Sequence, residues 1–107
     1  MVRVSVFYPN SRGARFDVDY YLRRHMTRSV ELLGPHMKEI STEIGVAGGI
    51  PGQPPPFAAI ASFTCNSVEE FTSIFLQHSD ELQGDIPNYT DIAPVIQVSE
   101  VVVMRMK

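Results

Sequence analysis

One cysteine, Cys65, is present in a chain of 107 residues, so no intrachain disulfide can form, in keeping with a reducing compartment. No apolar run approaches the roughly 20 residues needed to span a bilayer. The N-terminal stretch, interrupted by Arg3, lacks the plan of a secretion signal, which makes the cytoplasm the expected location. Surplus positive charge is missing too. Nine Lys and Arg against twelve Asp and Glu leave a net charge of −3, which offers no broad attraction to nucleic acid or to a membrane surface. Gly48-Gly49-Ile50-Pro51-Gly52 is glycine-rich but lacks GxGxxG spacing and a helix to receive a phosphate. There is no Gly-x-Ser-x-Gly elbow and no Cys/His dyad spacing. Cys65 closes the apolar run Ala61-Ser62-Phe63-Thr64-Cys65 and reads as a packing residue.

What is present is a folded chain: 44% hydrophobic and 20% charged residues, enough for one core and one domain over residues 1–107. Val2, Val4, Val6 and Tyr8 alternate with Arg3, Ser5 and Phe7, the period of a half-buried strand, which Pro9-Asn10-Ser11-Arg12-Gly13 breaks. Asp17 is placed to cap a helix, with Phe16 and Tyr21 as its hydrophobic staple and Gly34-Pro35 as its stop. Ile40, Thr42, Ile44 and Val46 alternate with Glu39, Ser41 and Glu43 in a second strand. The proline-rich stretch 48–56 follows as a stiff loop. Phe57 to Cys65 is a third strand, and Ser67-Val68-Glu69-Glu70 is a capping box opening a second helix that runs to Gly84. Residues 85–91 read as turn chemistry, and Val95 to Met106 as a final β-branched strand. The order βαββαβ with right-handed crossovers predicts an α+β, ferredoxin-like sandwich: a four-stranded antiparallel sheet with two helices on one face. Strands apolar on both faces predict a homodimer in which the uncovered sheet face meets a second copy.

The chemistry concentrates on the first helix. Val18, Leu22, Met26, Ser29 and Leu33 repeat at helical spacing with Tyr21 and His25 beside them, so His25 is expected to point inward. An imidazole titrates near neutral pH and serves as acid or base; the competing reading is a core histidine satisfied by a neighbour. Tyr21, one turn earlier, is placed to share its cavity. Asp17 and Asp19 read as caps, and Arg23, Arg24 and Arg28 as a solvated face. His78 is expected inward on the second helix, but His25 and His78 have no third partner, so no metal is expected. Phe7, Met26, His78, Asn88 and Tyr89 complete the expected ligand pocket.

Several segments also resemble the EthD family of small dimeric α+β barrel proteins. They are Tyr8-Pro9-Asn10, the Phe16-Asp17-x-Asp19-Tyr20-Tyr21-x-x-x-His25-Met26 helix start, Gly45-x-Ala47-Gly48-Gly49, and the tail from Ile86-Pro87-Asn88-Tyr89-Thr90-Asp91-Ile92 to Val101. The resemblance implies ferredoxin-like subunits whose sheets pair into a barrel, with a pocket between each sheet and its own helices and His25 and Tyr21 facing it. The family takes its name from alkyl ether degradation operons. Relatives on the same barrel include isomerases of lactones, polyketide cyclases and dehydratases, quinone-forming monooxygenases and haem-degrading enzymes. Thr27 stands where a proline is common after the Met, a departure that concerns helix geometry. The resemblance implies acid/base chemistry on a small oxygenated aromatic or lactone-like compound without metal or organic cofactor, in a catabolic or secondary-metabolite pathway. The alternatives it leaves open are a non-catalytic ligand-binding or accessory protein and a haem-binding barrel.

Overall fold

The computed structural model describes residues 1–105, and the expected end of the last strand at Met106 lies outside them. Four strands, β1 (Val2–Pro9), β2 (Glu39–Ile44), β3 (Phe57–Cys65) and β4 (Val95–Glu100), form an antiparallel sheet in the order β2-β3-β1-β4. The strand order and the two crossing helices make this the expected α+β, ferredoxin-like arrangement. β4 is shorter than its sequence pattern: its pairing with β1 runs to Val2 opposite Glu100, followed by the Val101 amide donating to the Met1 carbonyl.

The first helical rod covers residues 18–33 in three pieces: α1 (Val18–Tyr20), a π-helical segment (Tyr21–Met26) and α2 (Thr27–Leu33). The Asp17 carboxylate accepts from the Tyr20 amide at 3.1 Å, the expected cap. The π-helical segment is a departure. Wider turns change which residues share a face, so Val18 and Leu22 are left 38% and 39% exposed while Tyr21, His25 and Met26 are all buried. The Thr27 hydroxyl donates to the Leu22 carbonyl inside this segment, which a proline at that position would not do. The second helix, α3 (Val68–Asp85), is regular, capped by Ser67 Oγ accepting from the Glu70 amide.

Helix-facing side chains follow strand parity: Val4, Val6 and Tyr8 on β1, Ala59, Ala61 and Phe63 on β3, Thr42 on β2. The helical layer stops short of β4, where Ile96 and Val98 remain 51% and 44% exposed although they share the helix side with Val6 and Val4. On the uncovered sheet face, Phe7, Ala58, Ile60 and Val95 form an apolar end, while Arg3, Glu39, Ser99 and Thr64 make the opposite end polar. Gly45 carries no Cβ where one would collide with the Phe57 carbonyl and Pro55, so only glycine lets the proline-rich loop leave β2 this closely. Among the described residues, no helix is long and apolar enough to cross a membrane.

Candidate functional site

His25 sits on the π-helical segment and is 8% exposed. Its ring stacks against Tyr21 at 6.0 Å between centroids, and Tyr21 is pinned to β2 by a 2.7 Å bond from its hydroxyl to Thr42 Oγ1, which in turn donates to the Ile60 carbonyl. Ser29 Oγ donates to the His25 carbonyl at 2.9 Å. These contacts fix the backbone and ring plane of the histidine before any ligand arrives.

The partner of the imidazole comes from the other helix. His25 Nδ1 lies 3.0 Å from Asp85 Oδ2, and Asp85 Oδ1 accepts from the Tyr20 hydroxyl at 2.6 Å and from Asn88 Nδ2 at 2.9 Å. Asp85 is the last residue of α3, where the helix dipole disfavours a negative charge. Burial also raises its pKa, yet hydrogen bonds from Tyr20, Asn88 and His25 outweigh that and hold the carboxyl below its ordinary value. For His25 burial lowers the pKa and exceeds the opposing pull of Asp85. The pair is therefore a neutral imidazole beside an ionised carboxylate near pH 7. The proton sits on Nδ1, and Nε2 keeps its lone pair. Nε2 has no hydrogen-bond partner among the described residues and is not a buried orphan, so it is accessible.

Between the sheet and the two helices lies a partly open chamber of about 90 Å³. This is several times the roughly 10–15 Å³ that one water requires. Its walls come from β1 (Val4, Val6, Tyr8), the first rod (His25, Met26), and aromatic side chains of α3 (Phe71, Phe75), and it opens past Pro94 and Ile96. Ala61 on β3 leaves room where a longer side chain would fill the space. Tyr8 Oη lies 2.7 Å from Tyr89 Oη, and burial raises the pKa of Tyr8, Tyr21 and Tyr89, so all three phenols stay protonated. Phe16, Tyr21 and Tyr89 fill the space behind Tyr8 as an edge-to-face cluster.

Of the residues singled out from sequence, His25 and Met26 line the chamber. Tyr21 and Tyr89 are fully buried behind its wall, with the Tyr89 ring 4.7 Å from His25. Three placements need correction. Phe7 projects from the uncovered sheet face against Phe57, because β1 alternates and Tyr8 takes the inward position. His78 is half-buried on α3 but does not reach the chamber, whose α3 wall is Phe71, Phe75 and Leu82. Asn88 is exposed and acts on Asp85 instead of a ligand. Asp85 and Tyr8 carry no site role in the sequence reading, and Tyr20 appears there only as part of the helix-start motif. Asp85 lies three residues beyond Leu82 on the α3 stripe, but Gly84 reads as a helix stop and hides it; Tyr8 is the phenol on the inward parity of β1. The expected solvated arginine face is present, with Arg23 2.7 Å from Asp19 and Arg28 paired with Glu31 and Glu81. No three His, Cys, Asp or Glu side chains among the described residues come together as a metal site.

No family model and no curated protein matches the chain. Solved structures do. An EthD-like protein from Ralstonia eutropha JMP134 is 48% identical, with a TM-score of 0.90 over 97% of this chain and 94% of that one. An EthD (ethyl tert-butyl ether) family protein from Bacillus halodurans C-125 is 11% identical with a TM-score of 0.66, covering 95% and 99% of the two chains, and so shares the fold. A protein from Arabidopsis thaliana is 12% identical with a TM-score of 0.64, covering 99% and 100%, and shares the fold as well. With nearly half its residues and almost its whole length in common with the first of these, the chain belongs to the EthD-like family.

Proposed function

We propose that the chamber is an active site in which His25 moves a proton on a small, flat, oxygenated organic molecule. Nε2 takes a proton from an activated C–H or O–H group, Asp85 stabilises the imidazolium that forms, and the same nitrogen returns the proton to a neighbouring atom. General acid/base catalysis of this kind is commonly worth a factor of about 10² to 10⁴. The observation that carries the proposal is the His25–Asp85 hydrogen bond at the wall of a chamber, with Nε2 left accessible. Desolvation holds the base neutral and ready without a neighbouring cation. We further propose that residues 1–107 act as one domain and pair as a homodimer through the uncovered sheet face, where Phe7, Ala58, Ile60 and Val95 offer apolar surface, and that the protein works in the cytoplasm.

The test is a panel of phenols, quinones and lactones incubated with the protein and followed by mass spectrometry, with solvent deuterium to catch silent proton exchange. Turnover or exchange is expected with at least one compound, and His25→Gln is expected to lower it about 10²- to 10⁴-fold in a protein that keeps its fold by circular dichroism. Activity that survives His25→Gln would refute the role of the imidazole. A carrier that binds a ligand without changing it would instead show saturable binding with neither product nor exchange.

A further inference from the structure

We infer, taking the chamber as the ligand site proposed above, that it selects an uncharged carbonyl compound. The carbonyl oxygen would be held on the Tyr8 hydroxyl and the apolar body laid against Phe63, Phe71 and Phe75, and carboxylates of the same shape would be turned away.

The hydrogen-bond inventory carries the first half. Tyr8 and Tyr89 share one bond at 2.7 Å, and among the described residues neither hydroxyl has a second partner. Each has one proton to give. The rings packed on Tyr89 are those of Phe16, Tyr20, Tyr21 and His25, and among the described residues its hydroxyl bonds to Tyr8 alone, so if Tyr8 donated to Tyr89, the Tyr89 proton would be a buried donor with no acceptor, which is costly. If Tyr89 donates to Tyr8, both are satisfied in turn. Tyr8 itself lines the chamber and its hydroxyl has no partner there among the described residues, so its proton is left for a ligand oxygen or water. Tyr89 is fully buried and held by its ring contacts, so it fixes the direction of the pair.

Charge carries the second half. Among the described residues no Lys or Arg lines the chamber. The charge bonded to its wall is the Asp85 carboxylate, which is itself negative and sits 3.0 Å behind a neutral imidazole. Ser29 has spent its proton on the His25 carbonyl, and Gln83, exposed at the rim, adds only a neutral amide. A carboxylate entering this space would lose its hydration without gaining a counter-charge. A ketone, ester or aldehyde oxygen loses far less and gains the phenol.

Three probes of one shape separate the terms: acetophenone, benzoate and α-methylstyrene, titrated at pH 7.5 against the intact protein and Tyr8→Phe, with binding read from backbone amide shifts. Acetophenone is expected to bind about tenfold or more tightly than either of the others, the difference one hydrogen bond makes when its loss leaves a site group unpaired. Tyr8→Phe is expected to bring acetophenone to the level of α-methylstyrene and to leave α-methylstyrene unchanged. Benzoate binding as tightly as acetophenone, acetophenone indifferent to Tyr8→Phe in a folded variant, or no binding by any probe would each overturn the inference. The comparison on the unmodified protein stands even if the variant misfolds. Because these are equilibrium measurements, selective acetophenone binding by a protein that turns over nothing in the substrate panel would sink the proposed catalysis and leave the selectivity standing. Turnover of an anionic substrate that depends on His25 would do the reverse.

Discussion

Residues 18–33 and α3 lie on the same face of the sheet, joined across their outer surfaces by Arg28 and Glu81, yet their inward faces do different work. α3 is a regular helix whose stripe of Phe71, Phe75 and Leu82 is wall. The first rod carries a π-helical segment, and through it the imidazole and a buried phenol reach the interior while two aliphatic residues of the expected stripe lose burial. A π turn is rarer than an α turn and frequently marks a functional site. Regular periodicity builds a container, and the break in periodicity delivers the reactive group into it. Asp85, at the very end of the regular helix, ties the two together.

The largest test of this contrast concerns packing. Leu33, at the end of the first rod, and Leu82, on α3, are both buried, and truncating either to Ala is expected to cost about 2 to 5 kcal/mol in denaturant unfolding. A loss well under about 1 kcal/mol at Leu82 alone would mean that α3 is held by its ends and not by its stripe.

Next in size is the link between the helices. Asp85→Asn replaces a hydrogen bond to a charged group, worth about 1.5 to 3 kcal/mol, and is expected to lower the rate of whatever reaction the substrate panel identifies about 10- to 100-fold. The pH profile sharpens the point. The native pKa of His25 lies below its ordinary 6.5, so between the two values the unfolded chain binds more protons than the native one. Stability therefore rises with pH through that window and falls on acidification. The acid limb of kcat/KM should likewise lie below pH 6.5, and further down in Asp85→Asn because the anion that favours the imidazolium is gone. An acid limb that does not move would detach Asp85 from the titrating group.

Smallest are the two caps. Asp17 and Ser67 each hold the N3 amide at 3.1 Å, and replacement of either by Ala is expected to cost about 1 kcal/mol in thermal or chemical melts. A larger loss at Asp17 would show that the cap also sustains the π-helical segment that begins four residues on.

Much of this was legible without coordinates. The capping residues, the third strand from Phe57 to Cys65 and the helix bearing His25 follow from local spacing, because hydrogen-bond period and side-chain alternation act over a few residues. Local spacing also misled. Gly84 reads as a stop, yet its backbone continues α3 one residue further and brings Asp85 inward. Helical periodicity at Val18 and Leu22 assumes 3.6 residues per turn, which the π segment does not keep.

Alternation along β1 and β3, the two caps and the position of the imidazole on its helix were determined by the sequence alone. Only the tertiary structure decided that His25 meets a carboxylate 60 residues away, that Tyr8 meets Tyr89 across 81, and that Ala61 faces a hollow and not a neighbour. Those outcomes depend on how two helices settle on a twisted sheet, a balance of many weak contacts between distant segments that no local period encodes.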